Sequence, residues 1–202
     1  MKEIFRMRAM TRVIPILAVA ALAAALQAEA PKAPRHSPEF QLNFVGGEQK
    51  LLSSYRGKVV MVEFLHTTCP HCQHASQVFS RLYTEYGSRG FQPIGVAWND
   101  MANILIPEFI KSNGVNYPLA FASRDAVLDY LGISPTERSV VPQIVWIDRK
   151  GMIRSQTPAI GDEKMLSEKY WREMIESLTS EQDSSARKSS PAHRAAVRKP
   201  AS

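Results

Sequence analysis

Val59-Val60-Met61-Val62-Glu63-Phe64-Leu65-His66-Thr67-Thr68-Cys69-Pro70-His71-Cys72 is the stretch whose reading decides the fold. Its first seven residues are an apolar run of strand length, rich in β-branched side chains and interrupted by one carboxylate. Its last four hold the only two cysteines of the 202-residue chain. After them, Val78, Phe79, Leu82, Tyr83 and Tyr86 recur at helical spacing. The order is buried strand, short loop, cysteine, helix. Residues i and i+3 share a helix face, so Cys69 and Cys72 can close a very small disulfide ring. Cys69 falls at the helix N-terminus, where unpaired N–H groups and the positive end of the dipole favour a thiolate. Pro70 suits the first turn, where its missing N–H would have no intrahelical partner. Redox chemistry is the expectation. Two structural cysteines, or half of a zinc site, are the readings that spacing alone leaves open.

Upstream, Lys2, Arg6, Arg8 and Arg12 precede an unbroken apolar run from Val13 to Leu26, followed by small residues around Ala28 and Ala30. This reads as a secretory signal peptide, or as an N-terminal membrane anchor if retained, over residues 1–30. The folded part is expected outside the cytoplasm, in a periplasm or equivalent compartment. Residues 31–38, with Pro31, Pro34 and Pro38, read as a linker. Residues 180–202 are rich in Ser, Ala, Arg and Lys and read as a disordered basic tail. The formal net charge of +6 comes from these two ends, and residues 29–180 carry as many acidic as basic side chains. The basicity therefore belongs to targeting and tail segments. Nucleic-acid binding is not expected.

Residues 39–179 form the single domain. Strands are expected at Phe40–Val45, Val59–Leu65, Phe91–Trp98, Tyr117–Phe121, Gln143–Ile147 and Met152–Ser155. Asp148-Arg149-Lys150-Gly151 turns the last two into a hairpin. Helices are expected after the cysteine motif and up to Ser112, with Pro107 near the start of its regular part. Two more span Arg124–Leu131, capped by Ser123, and about Glu163–Leu178. Strands alternating with helices, closed by a hairpin and a helix, argue for an α/β fold with a central mixed sheet flanked by helices. The cysteines are too close in sequence to staple distant parts, which again favours chemistry over stability.

Val62-Glu63-Phe64, then Cys69-Pro70-His71-Cys72, then Val141-Pro142 before a strand resemble the thioredoxin superfamily. The strand and helix near 117–131, the Gly57-Lys58-Val59-Val60 lead-in, the Asp148–Gly151 turn and the exported N-terminus resemble its redoxin branch, the TlpA- and ResA-type exported reductases. The resemblance covers about residues 38–178. It implies a thioredoxin-like fold with a redoxin-type βα insertion, and thiol-disulfide oxidoreductase activity on protein thiols and disulfides. A membrane redox partner is a further implication, and no cofactor or metal is implied. It also implies that Cys69 is the attacking thiol, Cys72 the resolving thiol, Glu63 a buried acid taking the proton of Cys72, and Pro142 a cis-proline beside the disulfide. For Glu63, pairing with a lysine such as Lys58 is the plainer alternative.

Around that core the residues depart from the pattern. Thr68 stands where an aromatic residue commonly precedes the first cysteine. Pro70-His71 and Val141 resemble the periplasmic oxidant DsbA, and a histidine there can stabilise the Cys69 thiolate. The body thus suggests a reductase and the dipeptide leans towards oxidation. A thiol peroxidase of the peroxiredoxin type would need proline at 62 and threonine at 66, where this chain has Val62 and His66. A metal-binding alternative rests on His66, Cys69, His71, Cys72 and His74 lying within nine residues. A partner-binding module without chemistry would require inert thiols.

Overall fold

The computed structural model describes residues 32–189. In chain order its strands and helices are β1 (Arg35–His36), β2 (Gln41–Phe44), β3 (Gln49–Leu51), β4 (Val59–Leu65), α1 (Pro70–Tyr86), β5 (Phe91–Ala97), α2 (Ala102–Asn113), β6 (Leu119–Phe121), α3 (Arg124–Leu131), β7 (Gln143–Ile147), β8 (Met152–Gln156) and α4 (Glu168–Ser189). The eight strands form one mixed sheet in the order β1-β8-β7-β4-β5-β6-β2-β3.

β4 sits at its centre because all seven of its residues are apolar or neutralisable and can be buried on both faces. It runs parallel to β5 and antiparallel to β7. Side chains alternate along a strand, so β4 feeds two separate cores. Val59, Met61 and Leu65 pack with Cys72, Phe79 and Leu82 of α1 and with Trp171, Ile175 and Leu178 of α4. Val60, Val62 and Phe64 pack with Phe40, Leu42 and the α3 residues Val127, Leu128 and Leu131. Burying each such side chain contributes about 1.5–3 kcal/mol, so the two cores together anchor the sheet. Ring pairs reinforce both: Phe79 and Trp171 lie 4.3 Å apart on the first face, and Phe40 and Phe64 5.6 Å apart on the second.

β6 and α3 are the βα insertion expected between α2 and β7. β6 extends the sheet by pairing parallel to β5 and antiparallel to β2. Ser123 caps α3 as expected, its Oγ accepting from the Ala126 N–H at 3.3 Å.

Several boundaries differ from the sequence reading. The segment read as a linker contributes β1, whose Arg35 and His36 pair with Ile153 and Met152 of the hairpin. Pro107 lies inside α2 rather than near its start. β6 begins at Leu119, two residues after Tyr117. The last helix begins at Glu168, not near Glu163, because Asp162 and Ser167 use their side chains in a turn and a cap: Asp162 Oδ1 accepts from the Met165 N–H and Ser167 Oγ from the Tyr170 N–H. It then continues to Ser189, well into the stretch read as a disordered tail from residue 180. Residues 1–30 and the rest of that tail lie outside the described residues.

Candidate functional site

The β4–α1 connection places both cysteines. Cys69 is the N-cap of α1 in an extended backbone conformation, with Pro70 opening the helix. Its N–H donates to the His66 carbonyl at 3.1 Å and its carbonyl accepts from Gln73 N–H at 3.0 Å. The loop before it is held from the end of β5. Thr67 N–H donates to Asn99 Oδ1 at 2.9 Å, Asn99 Nδ2 donates to Thr67 Oγ1 at 3.0 Å, and Gln73 Nε2 donates to the Thr67 carbonyl at 3.1 Å. These bonds fix where the first thiol can point.

The two thiols occupy different environments. Cys69 is half-buried, and its Sγ lies 3.9 Å from the Val141 carbonyl, to which it donates. Cys72, one helical turn further, is 0% exposed. Burial pushes its thiol far above the ordinary range, the nearby Glu63 carboxyl adds to that, and the contact with the Cys69 thiol acts in the same direction. Both cysteines are free in this structure. The Val141–Pro142 peptide is cis.

Glu63 lies under α1 on the face of β4 shared with Met61 and Leu65, and it is 0% exposed. Burial raises its carboxyl to about 8, against the opposing pull of two hydroxyl donors. Those donors are Ser76 Oγ at 2.8 Å and Tyr117 OH at 3.0 Å, both bonded to Oε2. Oε1 is buried with no hydrogen-bond partner. The Lys58 pairing considered for Glu63 does not occur, since Lys58 Nζ donates to Gln92 Oε1 at 3.1 Å. In register, Glu63 stands opposite Ile144 on one side and Gly95 on the other. A methyl at Gly95 would overlap Leu119, so the glycine lets the inserted segment approach this strand.

Around the thiols, Thr68, Pro70 and His71 are exposed, Val141 is half-buried and Pro142 is buried. An open cavity of about 510 Å³ borders the motif. His71, His74 and Ala75 form one wall, Val140, Val141 and Pro142 another, and Ile160, Leu166 and Trp171 close it. Ile160 is 72% exposed although it is large and apolar. His66 faces the other way, its ring 4.4 Å from that of Trp98, and burial lowers its affinity for a proton. Among the described residues no group of three or more His, Cys, Asp and Glu side chains is placed to hold a metal ion.

The sequence reading thus named Cys69, Cys72, Glu63, Val141 and Pro142, and the fold brings them together. It did not place Ser76, Tyr117, Asn99 or Ile160 at the site. Ser76 carried a signal, being four residues after Cys72 and therefore on the same helix face. Tyr117 lies 54 residues from Glu63 in the chain, and no local pattern joins them.

A mixed sheet with a C-x-x-C pair at the start of its first long helix and a cis-proline opposite defines a thioredoxin-like protein. Residues 34–156 match the AhpC/TSA family, and the chain belongs to that family. Within the thioredoxin superfamily it is TlpA/ResA-like. It is 26% identical over 118 residues to thiol-disulfide oxidoreductase ResA of Geobacillus thermodenitrificans, covering 58% of this chain and 64% of that one. It is 30% identical over 99 residues to ResA of Bacillus subtilis, covering 49% of this chain and 55% of that one. The match thus spans less than two thirds of either relative. Among solved structures, a thiol:disulfide interchange protein of the thioredoxin family from Chlorobium tepidum TLS superposes with a TM-score of 0.61 at 23% identity. The superposition covers 74% of this chain and 99% of that one.

Proposed function

We propose that the protein is a thiol-disulfide oxidoreductase acting on protein thiols and disulfides through Cys69-Pro70-His71-Cys72. The observation that carries this is the asymmetry of the pair: a reachable Cys69 at a helix N-terminus above a sealed Cys72 beside a buried carboxylate. The names of the ResA relatives support the class of reaction.

In the reducing direction, Cys69 thiolate attacks one sulfur of a substrate disulfide. The Cys69–substrate bond forms, the substrate S–S bond breaks, and the first substrate thiolate leaves to be protonated by solvent. Cys72 then gives its proton to ionised Glu63 and its sulfur attacks that of Cys69. The Cys69–Cys72 bond forms and the second substrate sulfur leaves, so two electrons have passed from the cysteine pair to the substrate. In the oxidising direction every step reverses, and protonated Glu63 returns a proton to the departing Cys72 sulfur. A carboxyl near 8 can serve both directions around neutral pH. The cavity beside Val141 and Pro142 would seat the chain flanking the substrate cysteine. Thr68, Pro70, His71 and Val141 border the pair and tune its exchange.

Export is part of the same reading. It rests on the charged residues 2–12 and the apolar run 13–26, with either cleavage or retention as an anchor near a membrane redox partner. No helix among the described residues is long and apolar enough to cross a membrane.

Replacing Cys72 with Ser tests the division of labour. The variant should accumulate mixed disulfides through Cys69, visible as a mass increase reversed by dithiothreitol, while Cys69→Ser should form none and lose insulin disulfide reduction. Exchange surviving in Cys69→Ser would overturn the assignment. Faster consumption of hydrogen peroxide than of disulfides would instead favour a thiol peroxidase.

A further inference from the structure

We infer that Ser76 and Tyr117 are positioning residues for proton transfer from Cys72: by holding Glu63 Oε2 between them, they leave Oε1 as the oxygen that takes the proton. This deepens the proposed function and rests on Glu63 acting as the proton acceptor there. Both hydroxyls donate to the same oxygen, at 2.8 Å and 3.0 Å, and both are buried. The second oxygen has no partner in an interior where unpaired polar atoms are rare. A buried acceptor without a donor costs stability unless it is protonated or used. Oε1 meets that condition if it exchanges a proton with Cys72; the charge of Glu63 acts on both Cys72 and Tyr117, and Tyr117 is already bonded to Oε2.

The donors also favour the ionised form of Glu63. Burial favours the neutral acid, and hydrogen bonds to the carboxylate oppose it. Without them a smaller fraction of the acceptor would be ionised near neutral pH and ready to receive a proton from Cys72. Ser76 comes from α1, one turn beyond Cys72. Tyr117 comes from the segment between α2 and β6, whose place is fixed from α1. Asn116 Nδ2 donates to the Ser80 carbonyl at 3.1 Å and to Thr84 Oγ1 at 3.0 Å, and Gln77 Nε2 donates to Asn113 Oδ1 at 3.2 Å. The inserted segment therefore does more than lengthen the sheet. It delivers a hydroxyl to the proton acceptor.

The experiment measures resolution of a preformed mixed disulfide on Cys69, by stopped-flow release of a thionitrobenzoate leaving group, across pH 5–10. Ser76→Ala and Tyr117→Phe should each raise the pH midpoint of the resolving step by about one unit and slow it about tenfold at pH 7. The first attack by Cys69 should be unaffected. Ser76→Thr, which keeps the hydroxyl, should restore the original midpoint. In a Glu63→Gln background neither substitution should move the profile further. A ¹³C-carboxyl titration of Glu63 in folded Tyr117→Phe gives an independent reading of the same displacement. If Glu63→Gln alone abolishes the pH dependence while Ser76→Ala and Tyr117→Phe leave the midpoint in place, the inference fails and the proposed function stands. If Glu63→Gln leaves resolution unchanged, the proton-acceptor role itself fails.

Discussion

The two faces of β4 have been used in opposite ways. Towards α3, Val60, Val62 and Phe64 pack into an apolar cluster, and an aromatic group of Phe40, Phe64 and Tyr130 fills the space. Towards α1, the same strand places Glu63 between Met61 and Leu65, and the facing elements supply Ser76, Tyr117 and Cys72. One face is a conventional core. The other gives up apolar burial for a group that can change its charge. Because both faces hang on one strand, the apolar side can hold β4 in place while the polar side titrates.

Phe64→Ala strikes the apolar face and should cost roughly 3–5 kcal/mol of stability by leaving a cavity. Urea unfolding checks this, and mixed-disulfide resolution measured well below the transition should stay at the wild-type rate. A matching loss of resolution would mean that the faces are not separable.

Glu63→Gln strikes the other face and should act in the opposite direction. Burial raises the carboxyl from its ordinary value near 4.5 to about 8 in the folded state. The stability it contributes is full below about pH 4.5 and is lost as pH rises through about 8, because the folded state binds the proton more tightly than the unfolded one. Wild-type stability should therefore fall by roughly 2–4 kcal/mol across that window, and the Gln substitution should flatten the decline. Denaturant midpoints at pH 5 and pH 9 measure it. A wild-type protein equally stable at both would contradict a neutral, buried Glu63.

Ser123→Ala gives the smallest effect, about 1 kcal/mol, by removing the cap of α3 without touching either core. Thermal unfolding should register it and exchange rates should not. A change in exchange would couple the insertion's helix to the thiols and blur the division between faces.

What the sequence disclosed follows the same division. β4, β7 and α3 could be bounded to the residue because each is fixed by local signals: an unbroken apolar run, a preceding proline, or a Ser cap with glycine beyond the helix end. The motif was also legible locally, since a strand before and a helix after two cysteines three apart favour redox chemistry over the structural and zinc readings that spacing alone leaves open. Non-local pairing was not. Nothing near Arg35–His36 announces Ile153 as a partner, and nothing near Tyr117 announces Glu63. Pro107 misleads for a related reason. It costs α2 a hydrogen bond, but Ile106 and Phe109 beside it are buried and offset the loss through tertiary packing. At the last helix, Met165 and Leu166 continue a helical pattern backwards, yet the Met165 carbonyl is taken by Trp171 Nε1 at 2.8 Å and the regular helix starts only after Ser167.

The sealing of Cys72 also changes how this protein would count its own sulfur. A bulky thiol-alkylating reagent applied to the folded, reduced chain meets the Cys69 thiol and not the buried Cys72 thiol. Native labelling should therefore report half the thiols that unfolded labelling reports. An oxidant arriving from solution likewise finds a single thiol, and cysteine damage beyond the disulfide would fall on Cys69 while its neighbour waits in the dark.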